Sequence, residues 1–516
     1  MNGADAVLGT LVGAGVDVCF ANPGTSEMHF VAALDRMPAM RGVLALFEGV
    51  ATGAADGYAR IAGRPAATLL HLGPGLGNGL ANLHNARRAH SPVVNIVGDH
   101  ATYHKRYDAP LESDIDALAG TVSAWVRTAA LGTAADDTAD AVAASLGPPG
   151  GVATLVLPAD VSWSDAPGSA VARTPRGRLT AAPDAVEAAA RALRSGEPTA
   201  LLLGGDALRA RGLRAAARAA EATGARLLGE TFPANLERGA GLPAVERLAY
   251  LAEFAVAQLA GLRHLVVAGA RSPVSFFAYP DRPSDLVPDG CDVHALADIG
   301  DDVPAALEAL ADAVGARAAP TLVAPPSRPD RPAGTLDAES LAAAVGAVLP
   351  EDAIVVDEAN TGGLYVPGAT VGCPRHDWLT LTGGAIGQGL PVATGAAVAA
   401  PDRPVLCLEA DGSAMYTVQA LWTQAREGLN VTTVVLANRS YAILNLELSR
   451  VGAGAGGPLA GRLLDLSRPD LDFVALATGL GVPAARAATA DELVTQLERS
   501  LAEPGPSLVE VVLPAL

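Results

Sequence analysis

The sequence predicts an α/β fold of three doubly wound domains, and three observations predict it. Half of the 516 residues are hydrophobic but only 4% are aromatic, with Ala, Gly, Val and Leu dominating. That composition suits buried parallel strands under closely packed helices. Apolar runs of strand length recur, each ended by small, acidic or amide residues and followed by a helix-length segment, the alternation of an open parallel sheet. Two stretches read as linkers, Ala159–Arg178, rich in Pro, Ser and Arg, and Pro320–Gly334, rich in Pro. They cut the chain into expected domains at 1–165, 180–325 and 335–516.

Composition also narrows the function. A net charge of −19 argues against nucleic-acid or anionic-membrane partners. Lys105 is the one lysine, and no phosphate-binding loop surrounds it. Cys19, Cys291, Cys373 and Cys407 show neither metal-binding spacing nor a disulfide framework. The start of the chain has no basic, signal-like region, and no apolar stretch reaches membrane-spanning length. A soluble cytoplasmic protein is expected.

In the first domain, residues 2–14 read as a helix and Asp17–Ala21 as a strand. The turn after it, Asn22 to Glu27, can present the Thr25 and Ser26 hydroxyls. Val43–Phe47 reads as the next strand, and Glu48 opens a small-residue helix, GVATGAADGYARIAG. A carboxylate there is explained well enough as a helix N-terminal charge, worth about 0.3–1 kcal/mol. AATLLHL (66–72) reads as a strand entering a glycine-rich turn and a helix through Ala89, with His71 before the turn. The glycines follow G-x-G-x-G rather than the dinucleotide spacing, and Asp99 ends the following strand. Val152–Pro158 closes the domain.

The middle segment reads as a helix (184–195), a strand Ala200–Leu203, a helix (208–223) and strands near 226–228 and 264–268, before ARSPVSFFAYP. The third domain opens on a helix near Ala338 and a strand Ile354–Val356 running into Asp357-Glu358-Ala359-Asn360-Thr361. Gly383-Gly384-Ala385-Ile386-Gly387-Gln388-Gly389 then enters a helix, an arrangement whose backbone N–H groups can cradle phosphate. The strand Val405–Leu408 ends in Glu409-Ala410-Asp411-Gly412-Ser413, a helix is expected over Tyr416–Glu427, and Val431–Ala437 ends in Asn438-Arg439-Ser440. In a parallel sheet these ends share the ligand-binding edge. A carboxylate, an amide oxygen and backbone carbonyls there are hard ligands suited to Mg²⁺ on a diphosphate. Gly452–Gly457 reads as a flexible run or a lid hinge.

Asp411-Gly412-Ser413, then Asn438, then Tyr441 three residues on, resembles the cofactor signature of thiamine diphosphate (ThDP) enzymes. Glu48 before a GYAR-type helix and the GG…GLP segment join that resemblance, which is greatest to acetolactate synthases, then to benzoylformate decarboxylase. It implies the three-domain architecture of those enzymes: a pyrimidine-binding, a middle and a diphosphate-binding domain. It implies Mg²⁺ on Asp411, Asn438 and the Ser440 carbonyl. Asn360, Thr361, Gly384, Gly412 and Ser413 would hold the cofactor, and Ile386, otherwise a core residue, would wedge it into its bent form. Glu48 would share a proton with the pyrimidine N1′ and so activate the cofactor. His71, otherwise a hydrogen-bonded strand-end histidine, and Thr25 would face the substrate.

Departures qualify the substrate. Ala410 and Arg439 replace the family's first Gly and second Asn, without removing a side-chain ligand. The acetolactate synthase lysine falls near Ala124 and its glutamine at Asp99. The second histidine of benzoylformate decarboxylase falls near Phe277, and the loop that grips FAD is short around Ala295–Val303. FAD is expected to be weak or absent. The resemblance implies decarboxylation of a 2-oxo acid, the acyl unit then attacking a second carbonyl to give an acyloin such as 2-acetolactate. A benzoylformate-type decarboxylase releasing an aldehyde is the alternative. A catalytically inactive ThDP-binding relative is a third reading. It also implies a dimer or tetramer with active sites at subunit interfaces.

Overall fold

The computed structural model describes residues 1–454 and 456–514. Among the described residues eighteen strands form three sheets, almost wholly parallel. The first sheet holds β1 (Val18–Asn22), β2 (Arg41–Leu44), β3 (Ala66–Leu70), β4 (Val93–Asp99), β5 (Trp125–Thr128) and β6 (Val152–Pro158), in the order β2-β1-β3-β4-β6-β5. The second holds β7 (Thr199–Leu203) and β8 (Arg226–Gly229). β9 (Leu236–Arg238) leaves it, and β10 (Glu246–Arg247), β11 (His264–Ala268) and β12 (Asp292–Ala297) complete it, in the order β10-β8-β7-β11-β12. The third holds β13 (Ile354–Glu358), β14 (His376–Thr380), β15 (Val405–Ala410), β16 (Val431–Ala437), β17 (Ala484–Ala487) and β18 (Ser507–Val512), in the order β17-β18-β16-β15-β13-β14-β9. The strands β3, β4, β6, β15 and β16 are apolar along most of their length because helices cover both faces.

The structure adds strands to the expected set and corrects several expectations. β9 belongs to the third sheet, antiparallel to β14, so the segment before β10 crosses over; Arg238 stacks on Trp378 with its guanidinium carbon 4.9 Å from the ring centre. The glycine-rich stretch after His71 is not a turn. β3 ends at Leu70 and the helix Leu72–Ala89 begins at once. Its glycines are explained by close approach: a Cβ at Gly79 would stand 2.9 Å from Thr52 Cγ2. Leu72 is fully buried with φ 50°, a strained conformation for a branched residue that costs about 1–3 kcal/mol. β2 stops at Leu44, short of the predicted Phe47. The helix predicted over Tyr416–Glu427 is two helices, Asp411–Thr417 and Ala420–Glu427. The first springs directly from β15 and stops where the Thr417 hydroxyl donates to the Gly387 carbonyl at 2.9 Å. The predicted linker after β6 opens with a helix, Ala159–Trp163. The predicted hinge Gly452–Gly457 includes residue 455, which lies outside the described residues. Among the described residues no helix is long and apolar enough to cross a membrane.

The helix Glu48–Ala62 and the helix Gly389–Ala399 pack face to face. Glycines permit it: a Cβ at Gly57 or Gly395 would overlap the backbone of the other helix. The buried Arg60 seals the contact, paired with Asp56 and donating to the Thr380 carbonyl at 2.8 Å. The first and third sheets are thereby joined through one continuous apolar core.

Candidate active site

The expected residues form two clusters, one at the carboxyl edge of each of these two sheets. Glu48 is the first residue of its helix, follows an extended Phe47, and is 7% exposed. Asn78 Nδ2 donates to its Oε2 at 3.0 Å, and a Cβ on Gly75 would stand 3.1 Å from its Oε1. The buried carboxyl group therefore rests on a neutral amide beside a glycine that leaves it room.

His71 lies between β3 and its helix, next to Leu72. Its Nδ1 is 2.8 Å from Oε2 of Glu27, a buried carboxylate absent from the sequence expectations. Thr25 is exposed in the single 3₁₀ turn Thr25–Glu27 that follows β1. β1 and β3 are neighbours, so the turn and His71 share one edge.

The third-sheet cluster is built on β13, β15 and β16. β15 and β16 run in register to Ala410 opposite Leu436, so Asp411 and Asn438 emerge side by side. Asp411 is 3% exposed; Oδ1 accepts the Gly412 N–H at 2.8 Å and Oδ2 the Arg439 N–H at 2.6 Å. Burial pushes its carboxyl above the usual range, and these two donors pull the other way. Among the described residues no cationic side chain pairs with it. The buried Asn438 turns Oδ1 to the Ser440 N–H at 3.0 Å. From the end of β13, Asn360 Nδ2 donates to Ser413 Oγ at 3.1 Å, with Asn360 in the left-handed region at φ 48° and Thr361 next in the same 3₁₀ turn. A Cβ on Gly412 would overlap the Tyr441 ring.

Ile386 is half-buried between two left-handed glycines, Gly384 at φ 75° and Gly387 at φ 89°. The Phe276 ring lies on Gly384, its Cζ 2.5 Å from where a Cβ would stand. Beneath, Glu358 is 2% exposed and accepts the Gly387 N–H at 2.7 Å and the Gly389 N–H. Glu409 is buried beside it, and burial raises both carboxyls. Sequence reasoning missed Glu27, Asn78 and Glu358. Glu27 lay three residues from Gly24 and Glu358 beside Asp357, but nothing marked either as buried.

Among the described residues no three His, Cys, Asp or Glu side chains converge on a metal position. A cation here would take one carboxylate, one amide oxygen and backbone carbonyls, a hard oxygen set that fits Mg²⁺. The unpaired buried carboxylate of Asp411 is the feature that most calls for it.

The pattern of the thiamine pyrophosphate enzyme N-terminal TPP-binding domain matches residues 1–119, and that of the C-terminal TPP-binding domain matches residues 368–511. The chain belongs to the thiamine pyrophosphate enzyme family. It is 66% identical to a Mycobacterium tuberculosis protein named "Putative acetolactate synthase large subunit IlvX", over 100% of both chains. It is 32% identical to benzoylformate decarboxylase of Pseudomonas aeruginosa over 96% of both. Among solved structures, the thiamine diphosphate-dependent 4-hydroxybenzoylformate decarboxylase of Rhodococcus jostii RHA1 superposes with a TM-score of 0.88 at 26% identity, covering 100% of this chain and 99% of that one. The chain is thus a ThDP-dependent enzyme, similar to acetolactate synthases and to benzoylformate decarboxylases.

Proposed function

We propose that the chain uses ThDP and Mg²⁺ to decarboxylate a 2-oxo acid and join the remaining acyl unit to a second carbonyl compound, in the manner of an acetolactate synthase. The observation that carries this reading is the full-length likeness, at 66% identity, to the mycobacterial protein of that name. ThDP supplies, when bound, the nucleophilic carbon that no protein side chain offers. Asp411, Asn438 and the Ser440 carbonyl hold Mg²⁺. Asn360, Thr361, Gly384, Gly412 and Ser413 would hold the cofactor, and Ile386 would support its bent form. Glu48 shares a proton with the pyrimidine N1′, which its buried, amide-supported carboxyl suits. Thr25 and His71 orient the substrate, and His71 can hold or deliver a proton at Nε2. The working unit is a dimer or tetramer in which one subunit's Glu48 meets the partner's metal site.

One observation favours a second reading, an aldehyde-releasing decarboxylase of the benzoylformate type. Phe276 packs on Gly384 and belongs to an aromatic cluster, its ring 5.1 Å from Tyr250, 5.9 Å from Phe232 and 4.8 Å from Phe277. Phe277 is 54% exposed, so this wall can receive an aryl group. Product analysis with pyruvate, 2-oxobutyrate and benzoylformate, in ThDP and Mg²⁺, decides between them. Acetolactate from pyruvate supports ligation, and benzaldehyde from benzoylformate alone supports the second reading. Tight ThDP binding without turnover of any 2-oxo acid refutes both and leaves an inactive relative.

A further inference from the structure

We propose that Glu27 is the positioning residue for His71. Its carboxylate holds the imidazole with the proton on Nδ1 and leaves Nε2 free at the edge where Thr25 stands. This rests on the reading of His71 as the substrate-side histidine.

The arrangement is built from three adjacent strand ends. Glu27 closes the 3₁₀ turn after β1, His71 follows β3, and Gly98 lies in β4. The Glu27 side chain is 1% exposed against 24% for His71, so the pair is closed on the carboxylate side and open on the imidazole side. Glu27 Oε2 accepts the Gly24 N–H at 2.7 Å and faces His71 Nδ1 at 2.8 Å, while Oε1 has no donor among the described residues. Two glycines make the room. A Cβ on Gly24 would overlap the imidazole, and one on Gly98 would overlap Glu27 Oε1. Any side chain at either place would part the dyad. Leu72, at φ 50°, turns the backbone immediately after His71.

A carboxylate buried this deeply is costly unless hydrogen-bonded, and here its partners are one backbone donor and one imidazole. Burial pushes the Glu27 carboxyl up, opposed by the Gly24 N–H and the imidazole. Two proton placements follow. With Glu27 ionised, Nδ1–H donates to it, Nε2 is a free acceptor, and a proton gained at Nε2 leaves a neutral pair. With Glu27 protonated, it donates to Nδ1 and Nε2 carries the hydrogen. The Gly24 N–H needs an acceptor at Oε2 and favours the first.

The test is ¹⁵N NMR of the full-length protein, with histidines labelled, at about pH 8, where an ordinary imidazole is neutral. It is run with and without ThDP and Mg²⁺, and a His71→Ala spectrum assigns the signal. The wild type should show a protonated Nδ1 and a bare Nε2. Glu27→Ala should lose that preference and lower kcat about 10–100-fold, the range known for groups that orient metal-bound histidines, with KM changed less. Glu27→Gln, whose amide oxygen can still accept from Nδ1, should keep the tautomer and recover part of kcat. A wild-type proton on Nε2, or an unchanged tautomer in Glu27→Ala, overturns the proposal. If Glu27→Ala does not fold, the wild-type and Glu27→Gln spectra decide it. The predicted tautomer in a protein that turns over no 2-oxo acid would refute the proposed function while leaving the pairing intact.

Discussion

Asp411→Asn tests the metal half of the site through stability. The wild-type carboxylate is buried, takes two backbone donors and has no cationic partner among the described residues; on the proposed function a divalent cation would supply the opposite charge. At free ligand about 100 times Kd, ThDP with Mg²⁺ should stabilise the folded protein by about 2.7 kcal/mol. For a unit of about 150–250 residues, each kcal/mol is worth about 2–4 °C, so the wild-type Tm should rise by about 5–10 °C. In Asp411→Asn the amide oxygen can accept one N–H, but its NH₂ faces the other. A buried donor left unpaired costs about 1–3 kcal/mol, which lowers the unliganded Tm by several degrees. The decisive quantity is the ligand-induced shift, which should vanish in the variant and in wild type treated with chelator. Calorimetry would record it. A full wild-type shift in Asp411→Asn would refute Asp411 as the ligand.

Glu48→Gln should leave ThDP affinity nearly unchanged, yet slow hydrogen–deuterium exchange at C2 of the bound cofactor by about 10²–10⁴-fold, the usual contribution of a proton-sharing group; equal exchange rates would make Glu48 a helix-end charge only. His376 is buried beside Trp378, and burial lowers its pKa to about 4 from an ordinary 6.5. The unfolded chain therefore binds more protons between those values, so stability is complete above about pH 6.5 and falls by about 3 kcal/mol as pH drops through that window; His376→Gln should flatten this acid limb in denaturant titrations, and an unaltered slope would exclude His376 as its source. Sedimentation should show no active monomer, because exposed apolar side chains such as Leu364 at 71% and Tyr416 at 53% rim the third sheet's ligand edge; a ThDP-bound, active monomer would contradict the shared site.

Much of the molecule was legible because its strands are buried on both faces. Continuous apolar runs that stop on Asp411 and Asn438 announce both a strand and its functional end, and Val431–Ala437 matches β16 residue for residue. The closely spaced glycines after His71 read as a turn in the sequence; their use, room for Glu48 and Thr52, belongs to tertiary packing. β9 has three residues and no readable period, and pairing with β14 rather than its own local preference places it. Glu27 and His71 are 44 residues apart. Only the sheet order, β1 beside β3, brings them together, and no local pattern records sheet order.

The two clusters are not independent even within one chain. Asn82 Nδ2 donates both to the Gly49 carbonyl at 2.8 Å, one residue past Glu48, and to the Gly387 carbonyl at 3.2 Å, one residue past Ile386. Asn85 adds a bond to the Ala385 carbonyl at 2.8 Å, and His84 Nε2 lies 3.1 Å from that of Gly383. One face of the helix Leu72–Ala89, which starts at the His71 junction, thus grips the start of the Glu48 helix and the turn that carries Ile386. The glycine-lined contact between helices Glu48–Ala62 and Gly389–Ala399 leaves no slack for either to slide. A displacement of Ile386 on cofactor binding would therefore be passed through Asn82 to the backbone beside Glu48. If subunits share sites as proposed, that route connects the metal half of one site to the Glu48 half of another.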